Sequence, residues 1–265
     1  MAKKQKPKVE SEYYFDEVAA TRPAKFIERY CTHVEGPMQG QRIQLMDYHR
    51  DLISEVFGWK KKSDGYRRYR YVYQEIPKKN AKSTLLAALG LYLTGFDGEK
   101  GAQVYAVAGD KDQARIIFDA ARVMVEQNKD LSRVFFVLKN SIKHKKSNSY
   151  FKVLSSEVKT KHGPNIHAVL FDEMHVQEKR DLWDTLTKGV ANRLQPLVFA
   201  ITTAGFTGTF AHEMHQKCKA IADGKIKSKF WYVKMFNIDQ ERAYKDYDKV
   251  SVWKEVNPGY GITVQ

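Results

Sequence analysis

The sequence predicts an α/β fold, a mainly parallel sheet flanked by helices, and three observations predict it. Four apolar runs, Tyr69 to Ile76, Gln103 to Ala108, Ile166 to Phe171 and Leu197 to Thr202, have the length of buried strands. A helix-like stretch follows each run, as parallel strands require for their crossovers. Two of the runs stop abruptly in polar chemistry, Asp172-Glu173 after the third and Thr202-Thr203-Ala204-Gly205 at the end of the fourth. With 265 residues and 43% apolar content, the chain can bury one large core with a small appended subdomain.

The elements follow in order. Residues 1–35 read as a basic tail, Lys3-Lys4-Gln5-Lys6-Pro7-Lys8, leading into a partly amphipathic helix over Val18 to Cys31, a small N-terminal lid segment. Residues 36–224 form the main domain, which opens with a helix over Tyr48 to Trp59. Asp110 to Gln127 is the clearest amphipathic helix, with Ala114, Ile117, Phe118, Ala121 and Val125 at core-packing spacing. Val134 to Lys139, Ser141 to Lys145 and Tyr150 to Leu154 read as short β segments, and Gly163-Pro164-Asn165 as a turn into the third buried strand. Residues 225–265 hold a strand over Phe230 to Phe236, a charged helix, and Asn257-Pro258-Gly259, which reads as the approach to a linker.

The junction after the first strand carries the most specific chemistry. Ile76-Pro77-Lys78-Lys79-Asn80-Ala81-Lys82-Ser83-Thr84 sits between a strand and a helix running from Thr84 to Leu93. There a Lys-Ser pair can bind a nucleoside triphosphate: backbone N–H groups cradle the phosphates, the lysine reaches the β/γ oxygens, and the hydroxyl holds Mg²⁺. Against the P-loop pattern, Ile76 stands for the first glycine and Ala81 for the second, so the stretch also reads as a lysine-rich strand-to-helix turn. Asp172 and Glu173, delivered by a buried strand, suit Mg²⁺-dependent phosphoryl transfer, with one acid at the metal and the next polarising water. The hydroxyls of Thr202 and Thr203 can sense a γ-phosphate through hydrogen bonds gained or lost on hydrolysis.

The segments EIPKKNAKST, GLYLTGFDGEKGAQVYAVAGDKDQARIIFDAAR, HAVLFDEMH, RLQPLVFAITTAG and VWKEVNPGYG together resemble the N-terminal ATPase portion of tailed-bacteriophage terminase large subunits, the DNA-packaging motors. The resemblance runs from about Gly36 onward. It implies a P-loop NTPase of the ASCE type that uses ATP and Mg²⁺. Lys82 and Ser83 would bind phosphate and metal, with Lys78, Lys79, Asn80, Ala81 and Thr84 completing the nucleotide loop. Asp172 would be the metal carboxylate, Glu173 the catalytic carboxylate, and Thr202 and Thr203 the coupling motif. Arg115 is the candidate arginine finger and Arg193 its rival, either one also reading as a plain surface arginine. In the adenine segment Tyr48 would stack on the base, and His49 stands where relatives carry glutamine, with Gln44 and Gln41 nearby as substitutes.

The implied partners are double-stranded DNA, a portal protein and a small terminase subunit. A homo-oligomeric ring, a pentamer, would form on the procapsid from a chain that is monomeric in solution, in the cytoplasm of the infected bacterial cell. Such subunits continue into a nuclease domain, and this chain is expected to be the ATPase half alone, without DNA cleavage. A helicase-like ATPase and a basic DNA-binding protein with a degenerate P-loop are the alternatives.

Composition agrees with a polyanionic partner. Forty-five basic against 31 acidic residues give a net charge of +14. The charge recurs in clusters, at Lys60-Lys61-Lys62, Arg67-Arg68-Tyr69-Arg70, Lys143-His144-Lys145-Lys146 and Lys225 to Lys229. Cys31 and Cys218 lack metal-ligand spacing and read as free thiols in a reducing compartment. His212 and His215 flank Glu213 on a helix, without the spacing of a zinc site. No apolar run reaches the length of a membrane span, and the lysine-rich start lacks the apolar core of a secretory signal.

Overall fold

The computed structural model describes residues 12–154, 165–177 and 180–259; the tail at Lys3 to Lys8 and the Gly163-Pro164 turn lie outside them. At the N-terminal end, β1 (Tyr13–Phe15) and β2 (Trp59–Lys61) pair antiparallel and bracket α1 (Glu17–Tyr30) and α2 (Asp47–Gly58). Asp16 caps α1 by accepting from the N–H groups of Val18 and Ala19, both at 3.0 Å. The central unit begins with β3 (Tyr71–Glu75), α3 (Lys82–Gly95), β4 (Gln103–Val107) and α4 (Lys111–Gln127). A short helix α5 (Lys129–Val134) leads into β5 (Phe135–Leu138), β6 (Ser141–His144) and β7 (Tyr150–Val153). Then come β8 (Ile166–Phe171), a 3₁₀ turn at Met174–Val176, α6 (Asp181–Gly189), β9 (Leu197–Thr202), α7 (Phe210–Ala222) and β10 (Trp231–Met235). Two short helices follow, α8 (Gln240–Asp246) and α9 (Val250–Val256), where the sequence suggested a single charged helix.

One eight-stranded sheet orders these strands β10-β3-β9-β8-β4-β7-β6-β5. From β10 to β7 every neighbouring pair is parallel, and β6 and β5 add an antiparallel edge. An additional strand, β9, therefore separates the strand feeding the lysine-rich loop from the strand delivering Asp172 and Glu173. That insertion, with a glutamate after the aspartate, is the ASCE arrangement. The three short β segments predicted between Val134 and Leu154 join this same sheet.

Strand alternation sends side chains to two cores. Val104, Ala106, Ala168, Leu170, Phe199 and Ile201 pack under α1 to α5. Tyr105, Val107, Val169, Phe171, Val198 and Ala200 face α6 and α7. Helix α3 is buried nearly all round, from Leu85 to Thr94, and lies directly on the sheet. The approach is so close that a Cβ on Gly90 would fall 2.8 Å from the Phe151 ring. A helix enclosed on all sides is a firm base for the loop at its N-terminus.

Candidate active site

The predicted site residues converge at the C-terminal edge of the sheet. Register explains it: Glu75 of β3 pairs with Thr202 of β9, and Phe171 of β8 pairs with Ala200. The loop after β3 therefore lies beside both the Asp-Glu pair and the threonines.

Within the loop, Lys79 (φ 65°) and Ala81 (φ 52°) are left-handed. Ala81 is the residue standing for the second glycine, and it adopts the backbone shape glycine would have supplied, at a cost of about 1 kcal/mol. No side chain caps α3, which leaves its first N–H groups open to an anion. Lys82 is 7% exposed, and its Nζ has no hydrogen-bond partner. It stands 3.3 Å from Glu173 Oε1, an ion-pair distance without hydrogen-bond alignment. A buried amine left in this condition fits a site that receives phosphate oxygens.

Ser83 Oγ donates to Asp172 Oδ2 at 2.6 Å. Burial pushes the Asp172 carboxyl up, and the neighbouring Glu173 charge adds to this against the Ser83 hydrogen bond. A cation between these oxygens would relieve the carboxylate, and a hydroxyl with one carboxylate is the hard-oxygen set Mg²⁺ takes when phosphate and water supply the rest. Among the described residues no cluster of three His, Cys, Asp or Glu side chains is arranged to hold a metal.

Glu173 is itself left-handed (φ 50°, ψ 51°), a strained conformation for a glutamate. Its Oε2 lies 3.0 Å from His175 Nδ1 but off the line of a hydrogen bond, and that oxygen stays unbonded. The same imidazole nitrogen is 3.3 Å from both Thr202 Oγ1 and Thr203 Oγ1, while the His175 N–H donates to Thr202 Oγ1 at 2.8 Å. His175 thus stands between the acid and the threonines, bonded to the threonines and within 3.0 Å of Glu173 Oε2, a placement its position in the HAVLFDEMH run did not reveal. Gly205 is required by this placement, because a Cβ there would fall 2.9 Å from His175 Cβ.

Beside the loop lies an apolar cavity of about 250 Å³ walled by Met38, Ile43, Leu45 and Met46, with Gln44, His49, Lys79, Ala81 and Thr84 on its border. Burial holds the His49 imidazole neutral, its pKa lowered to about 4. Tyr48 is absent from this lining. Its ring meets Phe236 edge-on at 5.8 Å and its hydroxyl donates to Asn80. Adjacent helical residues point about 100° apart, so only one of Tyr48 and His49 can face the cavity. Asn80 is 1% exposed and its carboxamide is bonded within the protein.

The family described as terminase large subunit, ATPase domain, matches residues 47–221. The chain belongs to that family. The terminase large subunit of Enterobacteria phage HK97 is 27% identical over 245 residues, which are 91% of this chain and 46% of that protein. The crystal structure of the HK97 bacteriophage large terminase superposes with a TM-score of 0.76 at 23% identity, over 93% of this chain and 49% of the other. The chain thus spans about half the length of the relatives it matches, and the likeness in structure is one of fold.

In this terminase ATPase domain the two arginines differ. Arg115, on α4, is part-exposed beside an open groove of about 430 Å³ that Ser83 and Thr84 also line. Arg193 lies at the opposite edge of the sheet, 11% exposed, bonded to Glu99 and to the carbonyls of Asn165, Lys100 and Gly101. Arg67 of the predicted basic clusters is fully buried and His144 nearly so, and neither contributes to a basic surface. Cys31 and Cys218 are free and buried, and among the described residues no helix is long and apolar enough to cross a membrane.

Proposed function

We propose that this chain is the ATP-hydrolysing motor domain of a viral DNA-packaging machine, working on double-stranded DNA at a procapsid portal. The unbonded Lys82 amine, set between an uncapped helix N-terminus and Glu173, carries the reading. Lys82 binds the β/γ oxygens, exchanging its contact with Glu173 for phosphate. Ser83 and Asp172 would hold Mg²⁺, which would supply charge neutralisation at the phosphates. Glu173, released from Lys82, orients water for in-line attack on the γ-phosphate. Thr202 and Thr203, joined to Glu173 through His175, pass the loss of the γ-phosphate to the loop after β9.

The base enters the apolar cavity, with His49 and Gln44 as its polar partners, and Tyr48 supports the loop from behind. Arg115, held only by surface contacts to Asp119, Asn140 and the Lys139 carbonyl, completes a neighbouring subunit's site in a ring, whereas Arg193 is committed to the sheet's other edge. Portal protein, small terminase subunit and a pentameric ring are the corresponding partners, in the cytoplasm of the infected cell, and no DNA cleavage is assigned to this chain.

The test is ATP affinity and steady-state hydrolysis of three proteins. Lys82→Ala should lose binding by roughly 100-fold, because a charge-assisted contact to phosphate disappears. Glu173→Gln should bind ATP like the wild type and lose roughly 10²–10⁴ in kcat. Equal loss of binding in both variants contradicts the assigned roles.

A further inference from the structure

The nucleotide loop lacks both glycines of the P-loop pattern, yet it holds two left-handed residues, Lys79 and Ala81, around Asn80. Something must hold that shape. The Asn80 carboxamide is the hub: Nδ2 donates to Pro77 O at 3.2 Å and Lys78 O at 3.3 Å inside the loop, and to Asn257 Oδ1 at 2.8 Å outside it. Asn80 Oδ1 accepts from the Gly259 N–H at 3.1 Å and from Tyr48 Oη at 3.3 Å. Asn257 ends α9 with its N–H on Trp253 O at 2.9 Å. A residue 177 positions along the chain is therefore bonded to the middle of the loop.

We infer that Asn257 is a positioning residue for the nucleotide loop: through Asn80 it holds the loop in the shape that receives phosphates, doing by tethering what the absent glycines would do by conformational freedom. The inference rests on the ATP reading above for its consequence, though not for the tether itself. Asn257 touches no reacting atom. Its loss lowers the fraction of molecules whose loop is ready, and the apparent affinity falls by that fraction while the chemical step is unchanged. Removing one partner of a buried amide pair corresponds to about tenfold in such an equilibrium.

ATP affinity, kcat and amide hydrogen exchange over residues 76–84 of the nucleotide-free protein are measured for the wild type, Asn257→Ala, Asn80→Ala and the double variant. Asn257→Ala should weaken ATP about tenfold, leave kcat at saturating ATP within twofold, and speed exchange in the loop about tenfold. The double variant should be no weaker than Asn80→Ala alone, since the two act through one bond. Asn257→Asp keeps the accepting oxygen and should keep the loop protected. Unchanged loop exchange and ATP affinity in a folded Asn257→Ala overturn the inference, as do additive losses in the double variant. A wild type that binds no ATP defeats the ATP reading instead, and the exchange data then decide the tether independently.

Discussion

The two edges of the sheet are built on opposite terms. At the N-terminal edge Arg67, fully buried, makes a two-pronged ion pair with Asp97, which also accepts from His167 Nε2 at 2.8 Å; Arg193 and Glu99 pair alongside. Gln195 binds the Asp97 carbonyl and Arg67 the Gln195 carbonyl, so backbone and side chains close one network. Single atoms there, Arg67 Nε and His167 Nδ1, stay unbonded, but each belongs to a side chain held elsewhere. At the C-terminal edge Lys82 has its one polar atom unbonded, and Ala81, Lys79 and Glu173 are left-handed. Burial opposes ionisation of Asp97, yet the Arg67 charge and the His167 hydrogen bond bring its pKa down to about 2. Asp172, at the end of β8, has its pKa raised, because burial and the Glu173 charge outweigh the Ser83 hydrogen bond and the Lys82 charge. One edge satisfies its charges within the chain, and the other leaves polar groups unbonded and backbone strained, as the proposed nucleotide site would require.

Three experiments bear on that contrast. The largest effect belongs to Asp97→Ala, which leaves Arg67 buried without its partner; about 3–5 kcal/mol of stability should go, read by denaturant unfolding. ATP affinity of the folded fraction should be unchanged, and a loss of affinity without a loss of stability would join the two edges functionally.

Acid should then dismantle the edges one after the other. His49 has a folded pKa lowered by burial to about 4 from an ordinary 6.5, so the unfolded chain binds the proton first. Stability on the order of 2–3 kcal/mol is therefore lost as pH falls from 6.5 to 4. Asp97, depressed to about 2 from 3.8, contributes stability above its unfolded value and loses about 2 kcal/mol as pH falls from 4 to 2. Unfolding free energy against pH should show both windows, and replacing His49 by Gln should remove only the upper one.

The smallest effect is a gain. Ala81→Gly relieves a left-handed alanine and should stabilise by ~0.5–1 kcal/mol in the same unfolding assay, without loss of ATP binding. A destabilisation there would mean that the loop is not strained as its φ of 52° implies.

Much of this was readable beforehand for a simple reason. Parallel strands covered on both faces are written as unbroken apolar runs, so Ile166–Phe171 and Leu197–Thr202 have the predicted limits, and the polar residues at their ends mark the edge where the candidate site lies. Asp110 caps α4, where the amphipathic period begins. The resemblance added the family, which the match over residues 47–221 bears out.

Other features have no local signature. An arginine looks the same in sequence whether it waits at a groove, like Arg115, or is walled in, like Arg193. Tyr48 and His49 are adjacent letters, and helix rotation alone turns one to Asn80 and the other to the cavity. His175 follows the acids as an unremarked residue until β9 brings two hydroxyls to its ring. Asn257 read as the approach to a linker, and only the return of the chain along β10 carries it back to the loop. The sequence by itself determined the strands, the helices and the chemistry at their junctions, because burial and periodicity are local. Strand order, the partner of each charge and the tether on Asn80 were decided by tertiary structure, because they depend on which distant segments the sheet sets side by side.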